Sequence, residues 1–167
     1  VEAFGRSSLI SCIPVFDNHN RLEQVIHIAA DITQKKQMEE ALQRSASTLR
    51  SIFQAAPIGI GLVSNRILKQ VNDRLCRMVG YSREELLEKS ARILYPTDEE
   101  YEFVGREKYA QIAERGTGTV ETNWMRKDGS MMRILMSSTP LNPSNLEDGV
   151  TFTALDITER RLAEEAL

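Results

Sequence analysis

The 167-residue sequence has little of what most catalytic or secreted proteins are built on. Its two cysteines, Cys12 and Cys76, are too few for a disulfide framework and fit a reducing compartment, so the cytoplasm is the expected location. Its two histidines, His19 and His27, both fall near the start, which leaves the remainder without an imidazole for general acid–base chemistry. His19 sits in a polar Asn/Asp loop as a solvated turn residue, and His27 in a strand at a surface or edge position. There is no HExxH, no phosphate-cradling GxxxxGK[ST] and no zinc spacing of cysteines, which excludes those classes and leaves no catalytic or metal site to name. Gly59-x-Gly61 lacks the third glycine and following helix of a dinucleotide fingerprint. No apolar run approaches the roughly 20 residues of a membrane span. The opening VEAFGRSSL is not a signal peptide. An excess of charge of one sign is lacking too: 21 Lys and Arg face 24 Asp and Glu, so the charge balance gives no reason to expect nucleic acid or an anionic membrane as partner, since either would call for a clustered basic face.

What the sequence does have is a repeat. DITQKKQMEEAL at 31–42 returns as DITERRLAEEAL at 156–167, identical at seven of twelve positions. Upstream, SCIPVFDNHNRLEQVIHIAADIT (11–33) parallels SSTPLNPSNLEDGVTFTALDIT (137–158). A period of about 125 residues suits a whole small domain rather than a solenoid unit. Residues 1–33 then read as the last two strands of a preceding copy, 34–53 as a connecting helix, 54–158 as one complete copy, and 159–167 as the start of the next connecting helix. The ends at Val1 and Leu167 are expected to be cuts within a longer protein.

The complete copy has a legible order of elements. In the connecting helix, Met38, Leu42, Ser45, Leu49 and Ile52 alternate at spacings of four and three, a narrow seam that wants a partner helix. Ile58 to Val63 alternates apolar residues with glycine as a strand, and 67–71 pairs with it as a hairpin. Asn72 is placed to cap a short helix that Gly80 ends. Ser82-Arg-Glu-Glu85 and Thr97-Asp-Glu-Glu100 read as capping boxes, the second opening a helix over 98–115 with a break near Gly105. Strands follow at 119–126, 131–139 and 149–156, the first two joined by Asp128-Gly129 with positive φ angles. The plan is α+β: a five-stranded antiparallel sheet with short helices on one face.

With AAPIGIGLV (55–63), VNDRLCRMVGYSREEL (71–86), the acidic TDEEY (97–101), RKDGS (126–130) and the two Asp-Ile-Thr exits, the sequence resembles a PAS domain with its C-terminal PAC segment. The resemblance covers about 50–158 as a full domain and about 7–33 as a trailing half. It implies a PAS fold flanked by N- and C-terminal signalling helices, acting as a sensory module in a multi-PAS protein such as a histidine kinase or diguanylate cyclase. It also implies a space between sheet and helices for haem, flavin or a small metabolite. The helix 98–115 has no histidine for haem, and Ser90 and Ala91 stand where the flavin photoreceptors have Asn and the adduct-forming Cys, so both chemistries are argued against and the cofactor stays open. Cys76 is expected as a buried free thiol. Trp124, on a sheet strand, is either a pocket wall or plain core.

The junctions carry the remaining functional expectation. Asp31 and Asp156 end their strands and can tie them to the following helix, while Thr33 and Thr158 can cap it. Met38, Leu42, Leu49 and Ile52 are the expected dimer contacts, giving a homodimer through 34–53 with neighbouring PAS and output domains as further partners. Two functions remain open: a sensor that detects a ligand or partner and relays the change, or a ligand-free spacer that holds dimer geometry.

Overall fold

A computed structural model describes residues 2–3 and 6–166. Val1, Phe4, Gly5 and Leu167, which fall in the expected leading strands and trailing helix, lie outside the described residues. The chain forms two units, divided between Ser51 and Ile52.

The first unit holds a short strand β1 (Glu2–Ala3), a long antiparallel hairpin of β2 (Arg6–Phe16) and β3 (Leu22–Asp31), and most of helix α1 (Thr33–Ala55). The hairpin register pairs Ser8 with Asp31 and Cys12 with His27. Asp17 closes its loop by accepting hydrogen bonds from the His19 and Arg21 amides. Most apolar residues of these strands, including Leu9, Ile13, Val25 and Ile28, are exposed, and α1 has no buried residue. Helix α1 begins one residue before the expected boundary and ends two beyond it.

The second unit is a five-stranded antiparallel sheet in the order β5-β4-β8-β7-β6. The strands are β4 (Gly59–Ser64), β5 (Ile67–Val71), β6 (Gly118–Met125), β7 (Met131–Pro140) and β8 (Val150–Asp156). Strict alternation of burial along β6, β7 and most of β8 follows from the two-residue period of a strand with one face against a core. Helices α2 (Asp73–Val79), α3 (Arg83–Leu86) and α4 (Asp98–Arg115) lie between β5 and β6 in sequence and carry the other half of that core; α5 (Thr158–Glu165) follows β8. Leu75, Val79, Leu86, Leu94, Val104 and Ile112 meet Leu68, Ile134, Val150 and Phe152. Each such side chain removed from water contributes roughly 1.5–3 kcal/mol. Gly61 is required by this packing, because a Cβ there would sit 2.5 Å from Phe152 Cζ.

Asn72 locks the unit together. Its Oδ1 accepts from the Leu75 amide at 2.9 Å, as an N-cap should, and from the Ile60 amide at 3.0 Å. Its Nδ2 donates to the carbonyls of Phe53 and Ile58, both at 3.0 Å. A fully buried amide thus joins the end of α1, the start of β4 and the start of α2 with its main hydrogen-bonding capacity used.

Four local expectations are corrected. The Ser82 capping box is complete, but Glu100 does not reach back to Thr97: its carboxylate accepts from Thr122 Oγ1 at 2.6 Å and the Asn123 amide at 3.0 Å, pinning α4 to β6. Helix α4 runs unbroken through Gly105, whose missing side chain makes room for the Arg66 guanidinium 2.9 Å from where a Cβ would be. In the β6–β7 loop only Gly129 has positive φ, and Asp128 instead accepts from the Ser130 amide and hydroxyl. Cys76 is partly exposed rather than fully buried, and burial of the remainder pushes its thiol pKa up.

Candidate functional site

Two places concentrate polar groups that the core does not need: a cavity between the sheet and α4, and the exit from β8 into α5.

The cavity is walled by Val63, Leu94, Tyr95, Tyr101, Val104, Trp124, Met136 and Phe152, with Arg66 and Lys108 as its charged residues. It is nearly filled by its own walls, with free room close to that of a single water molecule. Trp124 is therefore both core and pocket wall: it is 1% exposed and lines the cavity. Its ring meets Tyr95 and Phe152 edge-on, with centroids 6.1 and 6.2 Å apart, and Tyr95 meets Tyr101 likewise at 5.4 Å. The Trp124 indole N–H approaches the Tyr95 phenol without reaching hydrogen-bond geometry and is left unpartnered. On β7 the buried Ser138 hydroxyl, opposite Phe152, also has no partner. Burial pushes the Tyr95 pKa up to about 12, which keeps the phenol neutral and able to donate.

Arg66 and Lys108 were not singled out from sequence. Arg66 occupies a left-handed conformation (φ 63°) in the turn between β4 and β5. Its guanidinium lies 3.3 Å from the centroid of the Tyr101 ring, donates to the Tyr101 carbonyl and pairs with Glu102 at 3.1 Å. Lys108 is 7% exposed, and its ammonium lies 4.7 Å from the Tyr109 ring centroid. Loss of water around it, together with the Arg66 charge, pulls its pKa down to about 8. Val104, Lys108 and Ile112 follow one another every four residues on a buried stripe, and that spacing was the signal available in the sequence. Ser90, in the flavin-cysteine region, caps a 3₁₀ turn and stands 3.2 Å from the Tyr101 hydroxyl.

At the exit from β8, Asp156 Oδ1 accepts from the Thr158 amide at 2.9 Å and from its hydroxyl at 2.5 Å. The Arg133 amide donates to Thr158 Oγ1 at 2.8 Å, and the Ile157 amide to the Arg133 carbonyl at 2.9 Å. The exit from β3 has the same form. Thr33 donates its amide and hydroxyl to Asp31 Oδ1 at 2.9 and 2.6 Å, Ser7 donates its amide to Thr33 Oγ1 at 2.8 Å, and Ile32 its amide to the Ser7 carbonyl at 2.8 Å. The Thr33 hydrogen bonds, side chain first, hold the Asp31 carboxyl below the usual carboxylate range. Neither threonine caps its helix as the sequence suggested. Each hydroxyl is turned to the neighbouring strand, and α5 begins at Thr158 itself with no side-chain cap.

The second junction carries one more group. Arg126, at the start of the β6–β7 loop, donates through Nη2 to Asp156 Oδ2 at 2.9 Å and through Nε to the Met78 carbonyl at 3.0 Å, near the end of α2. Beyond it, Arg161 of α5 donates to the Glu121 carboxylate on β6. The four residues of the helical seam, Met38, Leu42, Leu49 and Ile52, lie along α1 with 60–72% of their surface exposed. Cys12 Sγ stands 3.1 Å from His27 Nδ1 across the leading hairpin, at a register equivalent to Ser138 and Phe152.

Residues 57–159 match the PAS domain family. The chain is 37% identical over 117 residues to sensor protein TdiS of Thauera aromatica, an alignment covering 70% of this chain and 21% of that protein. It is 28% identical over 137 residues to sensor histidine kinase TmoS of Ectopseudomonas mendocina, covering 79% and 14% respectively. The chain thus spans about a fifth or less of these relatives. Among solved structures, it resembles the PAS domain, in complex with ethanol, of a LuxR-family transcriptional regulator from Burkholderia thailandensis. That match has a TM-score of 0.61 at 23% identity and covers 65% of this chain and 96% of that one.

Proposed function

The chain belongs to the PAS domain family, and we propose that it is a sensory module that detects a small ligand or a partner and relays the change through α1 and α5 to domains outside the sequence. On this reading the parent is a sensor kinase, as TdiS and TmoS are sensor proteins, and the module works in the cytoplasm as a homodimer joined through the Met38, Leu42, Leu49 and Ile52 seam. No helix among the described residues is long and apolar enough to cross a membrane.

The observation that carries the relay reading is the double use of Asp156. One carboxylate oxygen holds the start of α5 through Thr158, and the other holds Arg126, which in turn grips α2 through the Met78 carbonyl. A shift of the β6–β7 hairpin relative to α2 therefore bears directly on the first turn of the outgoing helix. Replacing Asp156 by Ala in the full-length protein should reduce the regulated change in output to within about twofold of none, while the basal output persists. Unaltered regulation in that variant would refute the relay.

The tightness of the cavity favours the second reading, a ligand-free spacer that fixes dimer geometry. An absorption spectrum and native mass of the purified protein separate the two, since a retained chromophore or mass excess supports the sensor.

A further inference from the structure

We propose that the cavity beside α4 takes a short-chain monocarboxylate, its carboxylate set against the Lys108 ammonium and the Trp124 indole N–H and its alkyl end against Val63, Met136 and Phe152. The proposal rests on the sensory reading above and adds the chemical class of the ligand.

Three properties of the cavity select that class. The first is the sign of its unmet polar groups. An indole N–H only donates, and a lysine ammonium offers three donors and no acceptor. Trp124 Nε1 is fully buried without a partner, while Lys108, 7% exposed as a residue but with its ammonium not sealed from solvent, makes no hydrogen bond or ion pair among the described residues. Such groups call for an acceptor.

The second is charge. Two cations border the cavity and no carboxylate lines it. Glu102 pairs with Arg66 from an exposed position, and the guanidinium is further occupied by the Tyr101 carbonyl and ring, so Arg66 is largely satisfied and Lys108 is not. With a pKa of about 8 the ammonium remains mostly protonated at neutral pH. A buried positive charge without a counter-ion favours an anionic ligand over a neutral one with the same acceptor atoms.

The third is size and surface. The remaining wall is aliphatic or aromatic, and the free space beyond van der Waals contact is close to that of a single water. Even an acid of about two to four carbons therefore enters only as wall side chains move apart, and each further carbon requires a larger displacement. Apart from Arg66, which is already paired, a second carboxylate would meet an aliphatic and aromatic wall, which argues for a single charge.

The test is isothermal titration of the 167-residue chain and of its Lys108→Met variant with sodium propionate, propionamide and 1-propanol at constant ionic strength, with Trp124 fluorescence confirming that the variant is folded. The expected result is propionate binding at least about tenfold tighter than propionamide or propanol to the wild type. In Lys108→Met, propionate affinity should fall about tenfold or more while propionamide stays within about twofold. Equal affinities for propionate and propionamide, or a propionate affinity indifferent to Lys108→Met, would overturn the carboxylate assignment and leave the ligand-sensing reading intact. Failure of all three probes to bind the wild type would overturn the assignment, while the absorption spectrum and native mass decide the sensory reading separately.

Discussion

Lys108 also makes the sharpest statement about stability. An ammonium on the buried stripe of α4 with no acidic partner is a cost that the fold carries, and replacing it by methionine should remove that cost while keeping an unbranched side chain of similar length. The charge that acts on it is Arg66 from the β4–β5 turn and its ring contact is Tyr109 on α4, with Tyr95 and Tyr101 lining the same cavity, and none of these is a carboxylate. With a folded pKa of about 8 against an ordinary value of 10.5, the linkage at 1.36 kcal/mol per pH unit comes to about 3 kcal/mol. Loss of the Lys108–Tyr109 contact, about 0.5–1 kcal/mol, offsets part of this, leaving a gain of about 2 kcal/mol. The sign follows from proton counting. Between pH 8 and 10.5 the unfolded lysine holds a proton that the folded one has released, so wild-type stability gains from this group as pH rises through that window, and the advantage of the variant shrinks. Tyr95 and Tyr109, whose pKa values burial raises, act oppositely above about pH 10, but they are common to both proteins and cancel in the difference. Urea unfolding at pH 7 should show the variant's midpoint higher by about 1–2 M, with the gap falling to near zero by about pH 10.5. A variant less stable than wild type at pH 7, or a gap independent of pH, would refute the reasoning.

Asn72→Ala should cost about 3–5 kcal/mol, because it strips partners from the Leu75 and Ile60 amides and the Phe53 and Ile58 carbonyls at once; chemical denaturation measures it, and a loss under about 1 kcal/mol would show those groups finding water. Leu42→Glu combined with Leu49→Glu should convert the proposed dimer to a monomer in sedimentation velocity while leaving the far-ultraviolet spectrum unchanged, since both side chains are exposed within one chain. A wild type already monomeric at micromolar concentration would contradict the seam as a dimer contact.

The sheet and its order of elements were legible because alternation, Asn72, Gly80 and the Asp-Ile-Thr repeat are local signals that agree with one another. The errors arose where a side chain had both a local and a distant partner. Glu100 could satisfy a capping box with Thr97, but Thr122 and Asn123 on β6 offered two donors together, and a pattern spanning four residues does not see a strand twenty residues away. Thr33 and Thr158 stood where caps stand, yet a neighbouring strand amide claimed each hydroxyl. Gly105 looked like a helix break because the Arg66 guanidinium it accommodates comes from a turn almost forty residues earlier. That turn had its own missed signal, the Asn65-Arg66 pair between two apolar runs, with both residues at positive φ. Of the candidate residues, Trp124 could be placed on its strand, but its edge-on contact with Tyr95 depends on how the segment ahead of α4 lies over the sheet.

On the proposed reading, the cavity and the junction need not be joined by a long chain of contacts. Trp124 and Arg126 are two residues apart at the same end of β6, one against the cavity and the other holding Asp156 and the Met78 carbonyl. A ligand that seats better with Trp124 in a shifted position must draw on that preference to move Arg126, and it can bias α5 by no more than its difference in affinity between the two arrangements. Asp156 Oδ1 binds Thr158 with or without Arg126, so loosening the arginine leaves α5 attached to β8 while freeing β8 from α2. The junction is therefore suited to pivoting the outgoing helix rather than unfolding it. The equivalent Asp31–Thr33 geometry gives the incoming helix α1 the same kind of root. A ligand effect in such a device has to appear as a change of helix orientation at nearly constant helix content, and a loss of α5 on binding would be the behaviour of a different mechanism.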